Sequence, residues 1–392
     1  MSVGAGSVRD MRFLHTSDWH LGRTLHGVDL LDHQAAYLDH LVDLARSEGV
    51  DAVVVAGDVY DRAIPPVDAV TLLSGTLARL AEVTTVVVTS GNHDSATRLG
   101  FGAELMQERV RLRTRVATLD APVVLGDTLV FGLPYLDPDS VRAELAGPDA
   151  APLARSHEAV TAAAMARVRA AVERTPGARR PRTVVAAHAF VTGGEASESE
   201  RDIRVGGVDQ VPAGVFAGTD YVALGHLHGP QVVAGTAGTV LRYSGSPLAY
   251  SFGERHQHKS TALVDLSGDA AHVELHDAPV PRRLADVSGT LDELLAGTGH
   301  AQDWVRVTVT DPARPQDLFR RVRDRYPHAL VIQHRPPVAS AGARTAEITT
   351  AHDPLVVAGQ FVEHVTGAAA TAEEVAVLRR AYEQVAAAER SA

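Results

Sequence analysis

Four short apolar runs constrain this chain more than any other feature. They are "DAVVVAG" (51–57), "TTVVVTSG" (84–91), "TVVAA" (183–187) and "YVALG" (221–225). Each is rich in valine, and none alternates with polar residues, so each must be buried on both faces. With "MRFLHTS" (11–17) before them and helical stretches near 31–47, 67–81 and 155–174 between, the pattern predicts parallel strands covered on both sides. The alanines of 155–174 need mean no more than high helix propensity. Further strands are expected as a hairpin at 121–133 and through 231–276.

The character changes after "APVPRR" (278–283). "DWVRVTVTD" (303–311), a helix near 316–326 and "ALVIQHRP" (329–336) predict a small α+β unit. A looser stretch follows, poor in large apolar residues. A capping box, Thr371 to Glu374, then opens a helix with Val375, Leu378, Tyr382 and Val385 on one stripe. The expected divisions are a flexible start (1–10), a main domain (11–280), a small domain (281–340) and a linker with terminal helices (341–392).

Composition removes several function classes. The chain has no cysteine, which excludes disulfides, cysteine zinc sites and thiol nucleophiles. A net charge of −11 argues against binding nucleic acid by overall basicity. A polyanionic substrate would have to be held locally, by arginines or by bound cations. Lys259 is the only lysine, so no Gly-Lys-Ser/Thr phosphate loop exists, and any ATP hydrolysis would belong to a partner. The opening "MSVGAGSVRDM" lacks a charged start followed by an apolar core, and no apolar run approaches the ~20 residues of a membrane span. The expectation is a soluble, cytoplasmic protein.

Chemistry gathers where the strands stop. Asp18 and His20 follow the first strand in "TSDWH", Asp58 the second in "AGDVYD", and Asn92 and His93 the third in "SGNHD". His188 ends "TVVAAH", and His226 and His228 end "YVALGHLH", with glycines 57, 91 and 225 alongside. The carboxyl ends of strands in an open α/β sheet share one edge, where sites are built. The i, i+2 spacing of Asp18/His20 and of His226/His228 would turn each pair to one side of an extended backbone. Taken singly, an Asp or Asn after a strand commonly caps a turn, and a lone histidine is commonly structural. Their joint placement at five strand ends argues otherwise. Carboxylates, imidazoles and an amide together suit Mn²⁺, Fe²⁺ or Zn²⁺ better than Ca²⁺. Seven ligands exceed the needs of one ion. A bridging carboxylate would resolve the count, giving two ions ~3.5–4 Å apart, the clamp of phosphoester hydrolysis. His256 and His258 share the same spacing but lie among charged residues and read as a solvated loop.

"DWH", "GDVYD", "GNHD", the lone His188 and "GHLH" resemble, in order, the motifs of the calcineurin-like metallophosphoesterases. "HTSDWHLGRTLHG", "AGDVYDRAIPP", "SGNHDSATRL", "ERDIRVGGVDQVPAGVF", "YVALGHLHGPQ" and "RYSGSPLAYSF" further resemble the nuclease subunits of bacterial SbcCD-type complexes. The likeness covers residues 11–280, and the remainder is similar in layout. It implies a four-layer α/β/β/α core with a small α+β capping domain and a C-terminal helical segment. It implies one manganese on Asp18, His20, Asp58 and His228, and a second on Asp58, Asn92, His188 and His226, with Asp58 bridging. Mg²⁺, Fe²⁺ and Zn²⁺ are the alternative ions. His93 would be a catalytic acid or transition-state stabiliser rather than a ligand, and Asp94 would steady the turn or orient His93. Asp61 stands where archaeal and eukaryotic relatives carry histidine, so its role is open. Arg62, Arg201 and Arg204 are candidate phosphate contacts.

By the same resemblance the activity is 3′–5′ exonuclease action on double-stranded DNA and endonuclease action on hairpins or single strands, in repair and recombination. The implied partners are an SbcC-type coiled-coil ATPase, bound through the C-terminal helices, and a second copy of the chain within a heterotetramer at the nucleoid. Two competing readings are a small-substrate phosphomonoesterase or cyclic-nucleotide phosphodiesterase, and a DNA-tethering scaffold with a vestigial site. The roughly 110 residues after the linker and the "ERDIRVGG" stretch favour the nuclease.

Overall fold

The computed structural model describes residues 11–106, 108–177, 179–200, 210–236, 238–337 and 353–389. The expected flexible start and most of the loose stretch before the last helices lie outside the described residues. Two six-stranded sheets dominate. In the first, Arg12–Thr16, Ala52–Ala56, Thr85–Thr89 and Val110–Arg113 run parallel in that order. Ser260–Asp265 and His272–Asp277 extend it antiparallel beyond Arg12–Thr16. In the second, Val240–Tyr243, Tyr221–Gly225, Arg182–His188 and Thr128–Leu133 are parallel. Gln231–Val233 and Val123–Leu125 close its edges antiparallel.

The valine runs explain the layering. In a strand, successive side chains point to opposite faces. Leu14, Val53, Val55, Val86 and Val88 face a core with Leu38 and Leu41 of the helix Leu31–Glu48 and Leu73 and Leu80 of the helix Val67–Val83. Their neighbours Phe13, Ala52, Val54 and Val87 face the other way, onto Val130, Val184, Ala186, Tyr221 and Ala223 of the second sheet. Val185, Ala187, Val222 and Leu224 then face Val160, Ala164 and Val168 of the helix His157–Arg174. The order is therefore helix, sheet, sheet, helix. Each buried valine contributes ~1.5–3 kcal/mol relative to exposure. The parallel strands are covered on both faces as expected, but they divide between two sheets, and each sheet is one of the other's covers. Apolar runs alone do not distinguish a helix cover from a sheet cover.

Leu284–Gly289, Trp304–Val309 and Ala329–His334 form a third, parallel sheet. The helices Leu291–Ala296 and Leu318–Arg325 join its strands, around a small core of Leu291, Leu294, Val305, Val307 and Val322. A further apolar cluster places Leu284 and Trp304 against Leu25, Leu248, Tyr250 and Phe252. Residues 337–392 form a separate unit. It holds the helix Pro354–Thr366, not expected from its valines and internal glycine, and the helix Ala372–Glu389. The Thr371–Glu374 capping box is present: Glu374 N–H donates to Thr371 Oγ1, and Thr371 N–H to the Glu374 carboxylate. On the stripe, Val375 and Leu378 are half-buried and Tyr382 is exposed. Among the described residues no helix is long and apolar enough to cross a membrane.

Candidate metal centre

At the strand ends the backbone turns abruptly. Asp18 (φ 55°), His20 (φ 45°), Asp58 (φ 48°) and His226 (φ 109°) all adopt positive φ, a strain of order 1–3 kcal/mol each for non-glycine residues. The extended backbone expected for Asp18/His20 and His226/His228 is therefore absent. The carboxylate and rings converge because the chain coils back instead. Backbone hydrogen bonds hold the turns in step: Asp18 N–H donates to the Gly57 carbonyl (3.0 Å), and His20 N–H to the Asp58 carbonyl (3.0 Å). Two glycines permit the close approach. A Cβ on Gly91 would lie 2.1 Å from Asp58 Oδ1, and one on Gly225 would lie 1.9 Å from the Ala56 carbonyl oxygen.

The five strand ends meet, but across the edges of two sheets rather than along one. Three groups of ligand atoms lie within 4.8 Å of one another: Asp18, His20 and His228; His20, Asp58 and His93; Asp18, Asp58 and His188. Asp58 Oδ2 lies 3.7 Å from His20 Nε2, 3.5 Å from His188 Nε2 and 3.9 Å from His93 Nε2. Asn92 enters through Oδ1, 2.9 Å from His188 Nε2. His226 stands apart in one respect. Its N–H donates to both Asp18 oxygens (3.1 Å each) and its ring lies edge-on to His188, but none of the three groups includes its ring nitrogens.

The donor set fits divalent cations. His188 places Nδ1 3.0 Å from the Ala56 carbonyl and Nε2 2.9 Å from Asn92 Oδ1. A neutral imidazole has one N–H and cannot satisfy two acceptors. Donation from Nδ1 leaves the Nε2 lone pair facing an amide oxygen, a conflict that a cation removes. His20 and His228 repeat it, their Nε2 atoms 3.1 Å apart. The His228 Nδ1–H donates to Ser199 Oγ (2.8 Å), whose hydroxyl donates to Glu254, leaving Nε2 unprotonated. His20 Nδ1 is buried without a hydrogen-bond partner and lies 3.8 Å from Asp61 Oδ1. Asp61 thus sits behind a candidate ligand, as partners that orient metal-binding histidines do.

Burial governs the charges. It pushes the Asp18 carboxyl up to about 6 against the opposing pull of His188 and His228. It drives His20 and His226 well below the usual histidine range, with neighbouring histidines adding to the effect, and it lowers His188. Bare carboxylates and neutral rings in one dry space are stabilised by bound cations, which invert the local field. Burial also favours the neutral form of Glu254, but Lys259 outweighs it and holds the carboxyl well below its usual range.

His93 is oriented differently from the ligands. Its backbone N–H donates to Asp58 Oδ1 (2.8 Å), and its ring Nδ1–H donates to the Asp61 carbonyl (2.7 Å), which turns Nε2 towards the cluster. Asp94 accepts N–H bonds from Val59 (3.1 Å), Tyr60 (2.8 Å) and Gly91 (2.9 Å), clamping the two loops that carry Asp58 and Asn92. Arg62 is exposed, Arg201 and Arg204 lie outside the described residues, and His256 and His258 are exposed. Sequence reasoning missed Arg23, which lies over the Tyr250 ring 3.6 Å from Asp61, and the contacts of Ser199, Glu254 and Lys259 around His228. Only the singularity of Lys259 could have marked any of them.

Two layered sheets with carboxylates and imidazoles at their shared strand ends define a metallophosphoesterase. Residues 11–160 match the family described as calcineurin-like phosphoesterase, and the chain belongs to it. Residues 280–366 match a second family, described as type 5 capsule protein repressor C-terminal domain. The chain is similar to SbcD, the nuclease component of SbcCD, from Bacillus subtilis (strain 168), at 39% identity over 266 residues. The match spans 65% of this chain and 66% of that protein, just under two thirds of the relative's length. The chain also aligns with the crystal structure of TT1561 of Thermus thermophilus, at 14% identity and a TM-score of 0.40, covering 68% of this chain and 99% of that one.

Proposed function

We propose that this chain is the nuclease subunit of an SbcCD-type complex, a manganese-dependent phosphodiesterase that cleaves DNA. The observation that carries the reading is the pairing of buried acceptors at His188/Asn92 and His20/His228, which two cations would satisfy. Asp18, His20, Asp58 and His228 would hold one ion and Asp58, Asn92, His188 and His226 the other. Bound there, the ions supply an activated water and neutralise charge on the phosphodiester. The protein's own residues do the rest. Asp58 sits between the two ligand sets, and Asp94 and the glycine turns hold its loop against that of Asn92. His93, tethered through Nδ1 to the Asp61 carbonyl, presents Nε2 to the reacting phosphate, where it donates a proton to the leaving 3′ oxygen or stabilises developing charge.

The similarity to an SbcCD nuclease component supports the DNA substrate and an SbcC-type ATPase partner. With no phosphate loop of its own, the chain depends on that partner for ATP hydrolysis. In this reading 11–280 is catalytic, 281–340 caps the site and the helices of 341–392 dock the ATPase. The complex carries two nuclease subunits and acts at the nucleoid as a 3′–5′ exonuclease on duplex ends and an endonuclease on hairpins and single strands. The test is cleavage of blunt duplex and hairpin DNA under Mn²⁺ and Mg²⁺, with and without the ATPase. Manganese-dependent cutting of both supports the reading. Hydrolysis of bis-p-nitrophenyl phosphate with DNA left intact would move the protein to a small-substrate phosphodiesterase. Activity unchanged by Asp58→Ala would remove the metal site from the mechanism.

A further inference from the structure

Lys259, the only lysine in a chain whose other strongly basic side chains are all arginine, is buried beneath His228. Its side chain is 2% exposed and that of Glu254 is fully buried. Lys259 Nζ donates towards four oxygens: Glu254 Oε2 (2.5 Å), Gln257 Oε1 (2.8 Å), Ser246 Oγ (2.9 Å) and the His228 carbonyl (3.0 Å). Glu254 uses its other oxygen on the far side. Oε1 accepts from Tyr250 N–H (3.0 Å) and the Ser199 hydroxyl, and lies 3.3 Å from His228 Nδ1. His228 is therefore gripped twice by one ion pair, at its carbonyl by Lys259 and at its ring by Glu254. A compact ammonium with three tetrahedral donors fits this enclosure. A planar guanidinium with five donors in a rigid fork does not.

We propose that Lys259 and Glu254 are positioning residues for His228, fixing its ring with Nε2 towards His20, so that the cation held by His228 binds tightly only while this pair is intact. The inference rests on the two-ion reading above. Neither residue touches the reacting phosphate. The ion held through His188 and Asn92 is insulated from the pair, because the His188 ring is fixed instead by the Ala56 carbonyl.

The test is calorimetric titration of the full chain with Mn²⁺, comparing wild type with Lys259→Met, Lys259→Arg, Glu254→Gln and the double variant Glu254→Gln/Lys259→Met. Each variant should weaken one of the two binding steps by about 10–100-fold, the loss usual when a ligand's orienting partner is removed, and leave the other step unchanged. The double variant carries no unpaired buried charge and reports even if Lys259→Met alone does not fold. Variants that fold and bind both ions as the wild type does would overturn the proposal. A second readout uses the uniqueness of Lys259 as a side-chain amine. Its modification by an amine-reactive reagent should slow on adding Mn²⁺, because capture of His228 Nε2 locks the ring that Glu254 holds. A rate indifferent to Mn²⁺ counts against it. Wild-type protein that takes up no Mn²⁺ sinks the functional reading and this inference together, whereas normal wild-type uptake with unaltered variants sinks the inference alone.

Discussion

His15 and Tyr221 join the two central sheets through a hydrogen bond shut away from solvent. The His15 Nε2–H donates to the Leu224 carbonyl (3.2 Å), so Nδ1 accepts from the Tyr221 hydroxyl (2.9 Å). This arrangement requires a neutral ring, and burial pushes the His15 pKa down to about 3, with the Leu224 carbonyl opposing. Unfolded, the ring titrates near 6.5. Between those values the unfolded chain binds a proton that the fold refuses. The stability contributed by neutral His15 is complete above about pH 6.5 and drains away as pH falls towards 3. From pH 6.5 to pH 5 the expected loss is about 2 kcal/mol from this residue. Urea unfolding of metal-free protein at several pH values should show a shallower acid slope for His15→Gln than for wild type. Equal slopes would refute the assignment.

Asp94 is expected to act on stability and metal uptake together. Asp94→Ala strands three N–H groups, of Val59, Tyr60 and Gly91, at a cost on the order of 3 kcal/mol. It also frees the loops bearing Asp58 and Asn92. Thermal unfolding and Mn²⁺ titration should both deteriorate, with Asp94→Asn intermediate. A variant that melts with the wild type contradicts the clamp.

Glycine replacements separate close approach from backbone freedom. Gly91→Ala drives a methyl into Asp58, and Gly225→Ala drives one into the Ala56 carbonyl. Such overpacking costs about 1–3 kcal/mol or more, and Mn²⁺ uptake should drop at least about tenfold for Gly91→Ala, since one pKd unit needs only about 1.4 kcal/mol. Gly214, whose added Cβ meets nothing within 4 Å, supplies the control: Gly214→Ala should bind as wild type does. If all three behave alike, steric closeness at the strand ends is not what the glycines provide.

His93 and Asp58 should part company. His93→Gln is expected to lower turnover of bis-p-nitrophenyl phosphate by about 10²–10⁴-fold while Mn²⁺ uptake stays near wild type. Asp58→Asn should lose both. Comparable loss of uptake in the two variants would make His93 a ligand instead.

The strands were legible because valine runs without polar alternation have few other solutions, and the polar residues that end them mark the site. Their division between two sheets was not legible. Val53 and Val54 are equally apolar, yet one faces helices and the other the second sheet. The positive φ of Asp18, His20, Asp58 and His226 was also hidden, since local sequence favours glycine or asparagine there and the surrounding hydrogen bonds impose the turn. The Lys259–Glu254 grip escaped because it works through His228 and Ser199, dozens of residues away in sequence, and its participants look like ordinary loop polar groups in isolation. The positions Arg201 and Arg204 lie outside the described residues.

The pairing of Arg12–Thr16 with Ser260–Asp265 has a consequence in time. Arg12–Thr16 is among the first segments to leave the ribosome, yet one of its two neighbours is about 250 residues behind. At about 5–20 residues per second, the nascent chain waits on the order of ten to fifty seconds with that strand's outer edge unpaired. An open apolar edge recruits other chains. Slow translation or truncation before residue 265 should therefore yield aggregates, and chaperone dependence should end once that strand has emerged.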